Sequence, residues 1–447
     1  MIGAGSSGLA VLRALRGRGV TVRCFERGSQ AGGLWRYQND NGVSSAYASL
    51  RTNVSRPRME YPSFPMPTVY GDFPHHSDMA AYLEAYGESF GHRRFIRFRS
   101  TVERLEPVPD GTWRVLLDDG SVHRFRAAVV ATGLHWCPKR PEHPGRFFGA
   151  VSHSHDYRVP EPFARSRVLV VGGGQSAAEI AVEVSLVATR TYLSVRRGYH
   201  VLPRRIGGSP YDASDIPPFN RMPWWLMNLL YARDVAREVG PIPREWPTPP
   251  RRLLEGIPII STDLLPAIRR GDVLLKPAVE RLAGDRVRFA DGSEEPFDRI
   301  IYATGYRISL PFVCPSLVAP RGREFPLYRR IVPLGLRGLL FAGFVDVPGG
   351  LLPVVEDQAE WIAALLTGHL RIPPTKQMRR AIDRAERRTR ERFPEESAHS
   401  VRCDPHAYRR LLRSDLRRAR RRALQREGPP LFDDLVRTLE LSRKRMP

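Results

Sequence analysis

The chain has 447 residues, 42% of them hydrophobic, and a formal net charge of +23, which is length enough for two or three domains with sizeable cores. No window reaches the roughly 18 uninterrupted apolar residues of a membrane span, and the N-terminus lacks the basic-then-apolar layout of a signal peptide. The four cysteines, Cys24, Cys137, Cys314 and Cys403, stand far apart without a CxxC, which argues against a disulfide scaffold, a zinc site or a dithiol redox centre and for a reducing, cytoplasmic setting.

Lysine occurs only at Lys139, Lys276, Lys376 and Lys444, so arginine carries nearly all the basic charge. That skew is what a GC-rich genome produces, and binding of phosphorylated cofactors would account for a local share. Nucleic-acid binding is disfavoured, because no finger, basic zipper or RNP-like aromatic motif accompanies the charge.

At the N-terminus Gly3, Gly5 and Gly8 form G-x-G-x-x-G, with Ser6 and Ser7 inside the loop and the helical stretch LAVLRALRGRG after it. The apolar run VTVRCFERG follows and ends in Glu26, about twenty residues beyond the loop, the spacing of a dinucleotide-binding βαβ unit. Such glycines let a pyrophosphate approach the backbone at a helix N-terminus, where free N–H groups and the dipole favour anions. Glu26 is placed to accept hydrogen bonds from an adenosine ribose. Only Met1 and Ile2 precede the loop, where a whole apolar strand is expected. Loss of a central strand costs several kcal/mol on ordinary hydrogen-bond and burial magnitudes, so the natural start is expected a few codons upstream.

The design recurs in RVLVVGGGQSAAEIAVEV, a buried strand followed by Gly172 and Gly174, with Ala177 at the third glycine position and Gln175 and Ser176 as further phosphate donors. The next strand, RTYLSVRRG, ends in Arg196 and Arg197, and Arg196 falls on Glu26 when the two runs are overlaid. A carboxylate there repels a 2′-phosphate and an arginine attracts one, so the first unit should take FAD or an NAD-like ribose and the second NADPH. Two more continuous apolar strands stop in small-residue turns, at Ala131–Thr132–Gly133 and at Ala303–Thr304–Gly305. Both turns are expected to pack beside cofactors. The stretch MPWWLMNLLYARDVAREV carries an apolar stripe through Trp225, Leu226, Leu229 and Leu230. It is read first as core, with a substrate-channel wall or a membrane-surface contact as the alternatives. From residue 371 onward, 23 basic and 11 acidic residues hold roughly half the net charge, in two Arg-rich helical stretches. Leu411, Leu412 and Leu416 give the second a partial apolar face, which predicts packed helices with a solvated basic side.

From Met1 to about residue 370 this pattern resembles the flavin-containing monooxygenases, of bacterial type. The stretch FFGAVSHSHDY places Phe147, Gly149, His153 and Tyr157 on the family pattern F-x-G-x-x-x-H-x-x-x-[Y/F]. Baeyer–Villiger relatives usually carry tryptophan at the last position, so Tyr157 points to the branch that oxygenates nitrogen or sulfur. ERGSQAGGLW matches the segment whose Glu26, Gly33, Leu34 and Trp35 line the FAD adenosine and ribityl region. YASLRTNVSRPRMEYPSFPMP resembles the one whose Thr52 and Asn53 lie against the isoalloxazine and the nicotinamide, and LLFAGFVDVPGGLLPVVEDQAEWIAALL the one that brings Gln358 near the flavin. His153 and His155 have no carboxylate or cysteine set at ligand spacing nearby. No metal is assigned to them, and a hinge or packing role is expected.

Together these observations and the resemblance imply an α/β fold of two Rossmann-like dinucleotide-binding domains with a helical C-terminal extension. The expected FAD-binding domain is built from residues 1–157 and 306–370, the NADPH-binding domain from 158–305, and the basic extension from 371–447. The resemblance further implies hydride transfer from NADPH to FAD, capture of O₂ as a C4a-hydroperoxyflavin shielded by NADP⁺, and attack by an amine nitrogen or sulfide sulfur on its distal oxygen. Asn53, neutral and able to donate, is the implied catalytic side chain. The partners are then a small amine or sulfide and O₂, and a homodimer is compatible with the sequence. Baeyer–Villiger oxidation of ketones, a non-oxygenating NADPH–flavin reductase, and a basic nucleic-acid-binding protein with a degenerate flavin fold are the alternatives.

Overall fold

Ile2 pairs in parallel with Phe25 on one side and Val130 on the other, so the two residues ahead of the first glycine loop lie in the middle of a sheet. In the computed structural model, described over residues 1–91, 93–213, 224–250, 253, 258–320, 324–392 and 401–423, the chain divides into two units. The first comprises Met1–Ser44, Arg56–Leu134 and Ile308–Pro447, the second Ser45–Ser55 and His135–Arg307. The segment 45–55, which carries Thr52 and Asn53, thus belongs with the second unit. The boundary expected at residue 157 puts both this segment and residues 135–157 in the first unit, and the fold assigns them to the second.

In the first unit, Ile96–Arg97, Cys24–Phe25, Ile2, Ala128–Val130 and Leu339–Phe341 run side by side in parallel. The bonds around Ile2 are complete: its N–H donates to Val129 at 2.9 Å, its carbonyl accepts from Ala131 at 2.8 Å, and Phe25 N–H donates to Met1 at 2.9 Å. The helix Ser6–Arg16 buries Leu9, Val11, Leu12 and Leu15 and packs on the helix Leu352–Leu366 through Val354, Val355, Trp361 and Ile362. Each such side chain contributes about 1.5–3 kcal/mol on burial. Arg13–Glu356 at 3.2 Å and Arg18–Glu360 at 2.8 Å border that contact. An antiparallel sheet of Val102–Pro107, Trp113–Leu117 and Val122–Phe125 completes the unit's main elements.

The second unit is a parallel five-stranded sheet in the order Val273–Lys276, Arg190–Ser194, Arg167–Val171, Arg299–Tyr302, Ala150–His153. Its middle strand, Arg167–Val171, is apolar throughout Val168–Val171 because both faces are covered. The helix Gln175–Ser185 lays Ala177, Ala178, Ile180, Ala181 and Val184 on one face, and Val287, Phe289 and Phe297 pack on the other.

Two expectations change here. In the helix Trp224–Val239, Leu229 is 60% exposed and the anchor is Val235, packed with Leu202, Leu253 and Ile260. The Leu229 side of the stripe is therefore not core; the side chain of Trp225 lies outside the described residues. The C-terminal helices are also part of the first unit. In the helix Pro405–Ala423, Leu412 is fully buried, Leu411 and Leu416 are partly covered, and Arg410, Arg413, Arg417, Arg420 and Arg421 face outward.

Candidate functional site

The two glycine loops share one division of labour. In the first, Gly3 has φ +96° and a Cβ there would sit 2.7 Å from the Ala131 carbonyl oxygen, while one at Gly8 would sit 2.1 Å from the Gly3 carbonyl oxygen. In the second, Gly172 has φ +150°, and a Cβ would sit 2.3 Å from the Ala303 carbonyl oxygen and 3.4 Å from the Ala177 methyl. Gly3, Gly8 and Gly172 thus meet the protein's own backbone, which fixes glycine there sterically, whereas the third position of the second loop accommodates Ala177. The middle glycines differ. A Cβ at Gly5 meets nothing nearer than 3.7 Å, and at Gly174 nothing within 4 Å. Each middle glycine is the N-cap of its helix, without a capping side chain and without an acid in the first turn. The leading N–H groups of both helices are therefore open to an anion. The helix His76–Ser89, by contrast, closes its own end with a capping box from His75 and Asp78.

The turns Ala131–Thr132–Gly133 and Ala303–Thr304–Gly305 each lie against a loop through their alanine. Gly133 and Gly305 adopt φ of +78° and +81°. Thr304 donates through Oγ1 to the Lys139 carbonyl at 2.5 Å. Thr132 Oγ1 is buried and finds no partner among the described residues.

Around the first loop, Glu26 is 6% exposed and its two oxygens accept from Ala4 N–H at 2.7 Å and Gly28 N–H at 2.9 Å. Burial pushes its carboxyl above the ordinary range, against the pull of those two N–H groups. Gly33, Leu34 and Trp35 form a short 3₁₀ turn, and a Cβ on Gly33 would come within 3.1 Å of the Gly5 Cα. Ser6 and Ser7 begin the loop helix. Gln358 is fully buried, accepting from Gly343 N–H and donating to Tyr408 Oη, both at 2.9 Å. Its amide serves the joint between the Leu352 and Pro405 helices.

Around the second loop, Arg196 is exposed and Arg197 half-buried, directly after the strand Arg190–Ser194. Arg197 Nε donates to Tyr199 Oη at 3.2 Å. The Arg196 charge helps to lower the pKa of His143, whose burial is the larger cause. Ser176 is half-buried. The Gln175 side chain is engaged within the protein: it donates to Glu179 at 2.9 Å and to the Ile260 carbonyl at 2.7 Å, and accepts from Ile260 N–H at 2.8 Å. With the amide engaged, what Gln175 leaves for a ligand is its backbone N–H, in the first turn of the helix.

The F-x-G-x-x-x-H-x-x-x-Y stretch acquires a physical reason. A Cβ on Gly149 would sit 2.4 Å from the Asp298 carbonyl oxygen and 2.6 Å from the Phe147 ring. His153 pairs in register with Tyr302 and is fully buried. Its Nδ1 accepts from His155 N–H at 3.0 Å, and burial lowers its pKa to about 4. Tyr157 donates to Glu183 at 2.7 Å.

Thr52 is buried and Asn53 half-buried, and Thr52 Oγ1 and Asn53 Oδ1 have no partner among the described residues. Tyr47, Glu179 and Glu183, which hold the segment carrying these residues, escaped sequence reasoning. The signal was present: Gln175, Glu179 and Glu183 recur at i, i+4 and i+8 on an otherwise apolar helix.

The strand–glycine loop–helix unit occurs twice, with an acid at one strand end and a base at the other, in an α/β fold of the dinucleotide-binding kind. The chain belongs to the flavin-binding monooxygenase-like family, whose pattern matches residues 1–414, and it is a flavin monooxygenase. The match runs past residue 370 into the Pro405 helix, further than the sequence resemblance reached. Flavin-containing monooxygenase 3 of Rattus norvegicus is 33% identical over 410 residues, covering 86% of this chain and 76% of that protein. Dimethylaniline monooxygenase [N-oxide-forming] 2 of Oryctolagus cuniculus is 33% identical over 402 residues, 85% and 75% of the two chains. Among solved structures, S-allyl-L-cysteine S-oxygenase from Allium sativum superposes with TM-score 0.69 at 25% identity, covering 100% of this chain and 98% of that one.

Proposed function

We propose that this chain is an FAD-dependent monooxygenase that uses NADPH and O₂ to oxygenate a nucleophilic nitrogen or sulfur atom. The observation that carries the reading is the exchange of Glu26 for Arg196 at equivalent ends of two otherwise matching strand–loop–helix units. Relatives named for N-oxide formation and for S-oxygenation support the choice of centre, as does Tyr157 in place of the tryptophan usual in ketone-oxidising relatives.

The residues present fit both cofactors. Gly5 and Gly174 open onto uncapped helix N-termini, and Thr132, Thr52 and Asn53 hold buried polar atoms with no protein partner among the described residues. Bound FAD supplies hydride acceptance and O₂ activation, chemistry that no side chain provides. The protein's part is binding and orientation. The loop Gly3–Gly8 and Glu26 take the FAD pyrophosphate and ribose, with Gly33–Trp35 and Thr132 beside them. The loop Gly172–Ala177 takes the NADPH pyrophosphate, and the Arg196 guanidinium pairs with the 2′-phosphate. Asn53 donates from Nδ2 without ever changing its protonation state, so it orients a polar group and supplies no stray proton.

The test is Arg196→Glu in the flavin-loaded protein. We expect the KM for NADPH to rise by about 100-fold, roughly the 3 kcal/mol of a charge-assisted contact, with NADH little affected. Equal losses for both coenzymes refute the phosphate assignment. Incubation with methyl phenyl sulfide and with cyclohexanone should give sulfoxide and no lactone; lactone as the main product would place the chain with the ketone oxidisers.

A further inference from the structure

Residues 45–55 cross the second unit as a strap without regular secondary structure, apart from one bridge residue, Arg51. At its N-terminal end the strap is tied to the Gln175–Ser185 helix by side chains. Tyr47, 5% exposed, donates its hydroxyl to Glu179, and Ser49 donates to Glu183. Tyr157 donates to the other oxygen of Glu183 at 2.7 Å, and its ring meets that of Tyr47 edge-on at 5.7 Å. Ala48 N–H is bonded to the Arg158 carbonyl at 2.9 Å. At the far end Ser55 N–H donates to Asp212 at 2.8 Å. Between these anchors hang Thr52 and Asn53, whose buried side-chain oxygens have no partners of their own among the described residues. Their placement is therefore set by the anchors.

Glu179 is also bonded to Gln175 at 2.9 Å and to Arg204 at 3.0 Å. Gln175 is the first residue of the helix that caps the open cradle at Gly174. A continuous chain of bonds thus runs from the cradle through Gln175, Glu179 and Tyr47 to the strap. A buried network of this kind transmits position, because each carboxylate oxygen has fixed donors and leaving a buried one unpaired is costly.

We propose that Tyr47 and Glu179 are positioning residues: their hydrogen bond clamps the 45–55 strap to the Gln175 helix, so that occupancy of the dinucleotide cradle fixes the orientation of Asn53. The proposal rests on the reading of Gly172–Ala177 as the dinucleotide site and of Asn53 as the residue that acts.

Hydrogen exchange followed by mass spectrometry, on the full flavin-loaded chain with and without NADP⁺, separates the possibilities. In the wild type NADP⁺ should slow exchange both at 172–178 and across 48–55. In Tyr47→Phe, which keeps the buried ring, protection at 172–178 should persist while 48–55 exchanges at least several-fold faster and no longer responds to NADP⁺. Glu179→Gln should behave alike, and a melting temperature close to wild type in either variant confirms that the fold survives. The second readout is a double-mutant cycle on H₂O₂ released per NADPH oxidised with methyl phenyl sulfide present. Tyr47→Phe should raise this ratio with the KM for NADPH changed less than twofold, and should add nothing to Asn53→Ala. Unaltered exchange of 48–55 in both variants, or additive effects in the cycle, overturns the clamp while leaving the cofactor reading standing. Absence of NADP⁺ protection at 172–178 in the wild type overturns that reading instead, and the exchange of 48–55 without NADP⁺ then still decides whether Tyr47 holds the strap.

Discussion

His153 shows what burial does to a single titratable side chain. It is fully buried, with Nδ1 accepting a backbone N–H and Nε2 without a partner among the described residues. Burial lowers its pKa from an ordinary 6.5 to about 4, outweighing the opposing charge of Asp156. In the unfolded chain the imidazole titrates near 6.5. Between that pH and about 4 the unfolded state binds a proton that the folded state refuses, so stability is full above the window and is lost as pH falls through it, by at most about 3 kcal/mol. His143 and His155 are shifted in the same direction by the same cause. We expect the urea midpoint of the protein to fall from pH 7 to pH 4.5, and the fall to be shallower in His153→Asn, whose amide oxygen can take over the Nδ1 bond. Parallel profiles for the two proteins would exclude His153 as the group responsible.

At the scale of the element, a glycine loop divides into residues the fold requires and residues the ligand requires. Gly8 belongs to the first kind, since a methyl there would sit 2.1 Å from the Gly3 carbonyl oxygen. Gly174 belongs to the second. Its φ of −102° and ψ of −176° suit any residue, and nothing lies within 4 Å of its missing Cβ. Gly8→Ala should therefore lower the melting temperature of the protein free of nucleotide by roughly 5 °C or more, the size of a steric defect in a packed element. Gly174→Ala should leave that temperature within about 2 °C and weaken NADP⁺ binding at least about tenfold. Calorimetry and a nucleotide titration check both. A stable Gly8→Ala, or a Gly174→Ala that binds as before, would contradict the division.

At the scale of the whole molecule, the Arg-rich C-terminal helices are structural members of the first unit. Asp415, in the Pro405 helix, accepts from Arg329 at 2.8 Å and from Trp361 Nε1 at 3.3 Å. Asp357 receives Arg409 at 2.7 Å and Arg413 at 2.9 Å, and Arg402 reaches Asp346 at 3.0 Å. The Asp415–Arg329 pair is well buried, with side chains 9% and 16% exposed. Removing one partner strands the other's charge, so Asp415→Ala should cost about 3 kcal/mol of unfolding free energy. Arg417→Ala, on the solvated side of the same helix, should cost under about 0.5 kcal/mol. Denaturant melts of the two variants measure the difference, and equal values would mean that the helix is not integrated as described.

Short-range spacing carries two G-x-G units, each followed by a helix and a second strand, and the opposed charges of Glu26 and Arg196. These are legible because a phosphate cradle needs small residues, N–H groups and a helix start within a few positions of one another. Partners far apart along the chain meet only through folding. Tyr47 finds Glu179 across 132 positions, and Trp113 donates to Arg337 across 224. No local periodicity announces either pairing. The same holds for Gln358, whose amide joins Gly343 to Tyr408, and for residues 45–55, which lie before the first unit's later strands in sequence yet fold with the second. Spacing encodes a loop because its donors are covalent neighbours; which unit a strap joins is settled by packing and by the desolvation of its polar groups, and these exist only once the chain has closed on itself.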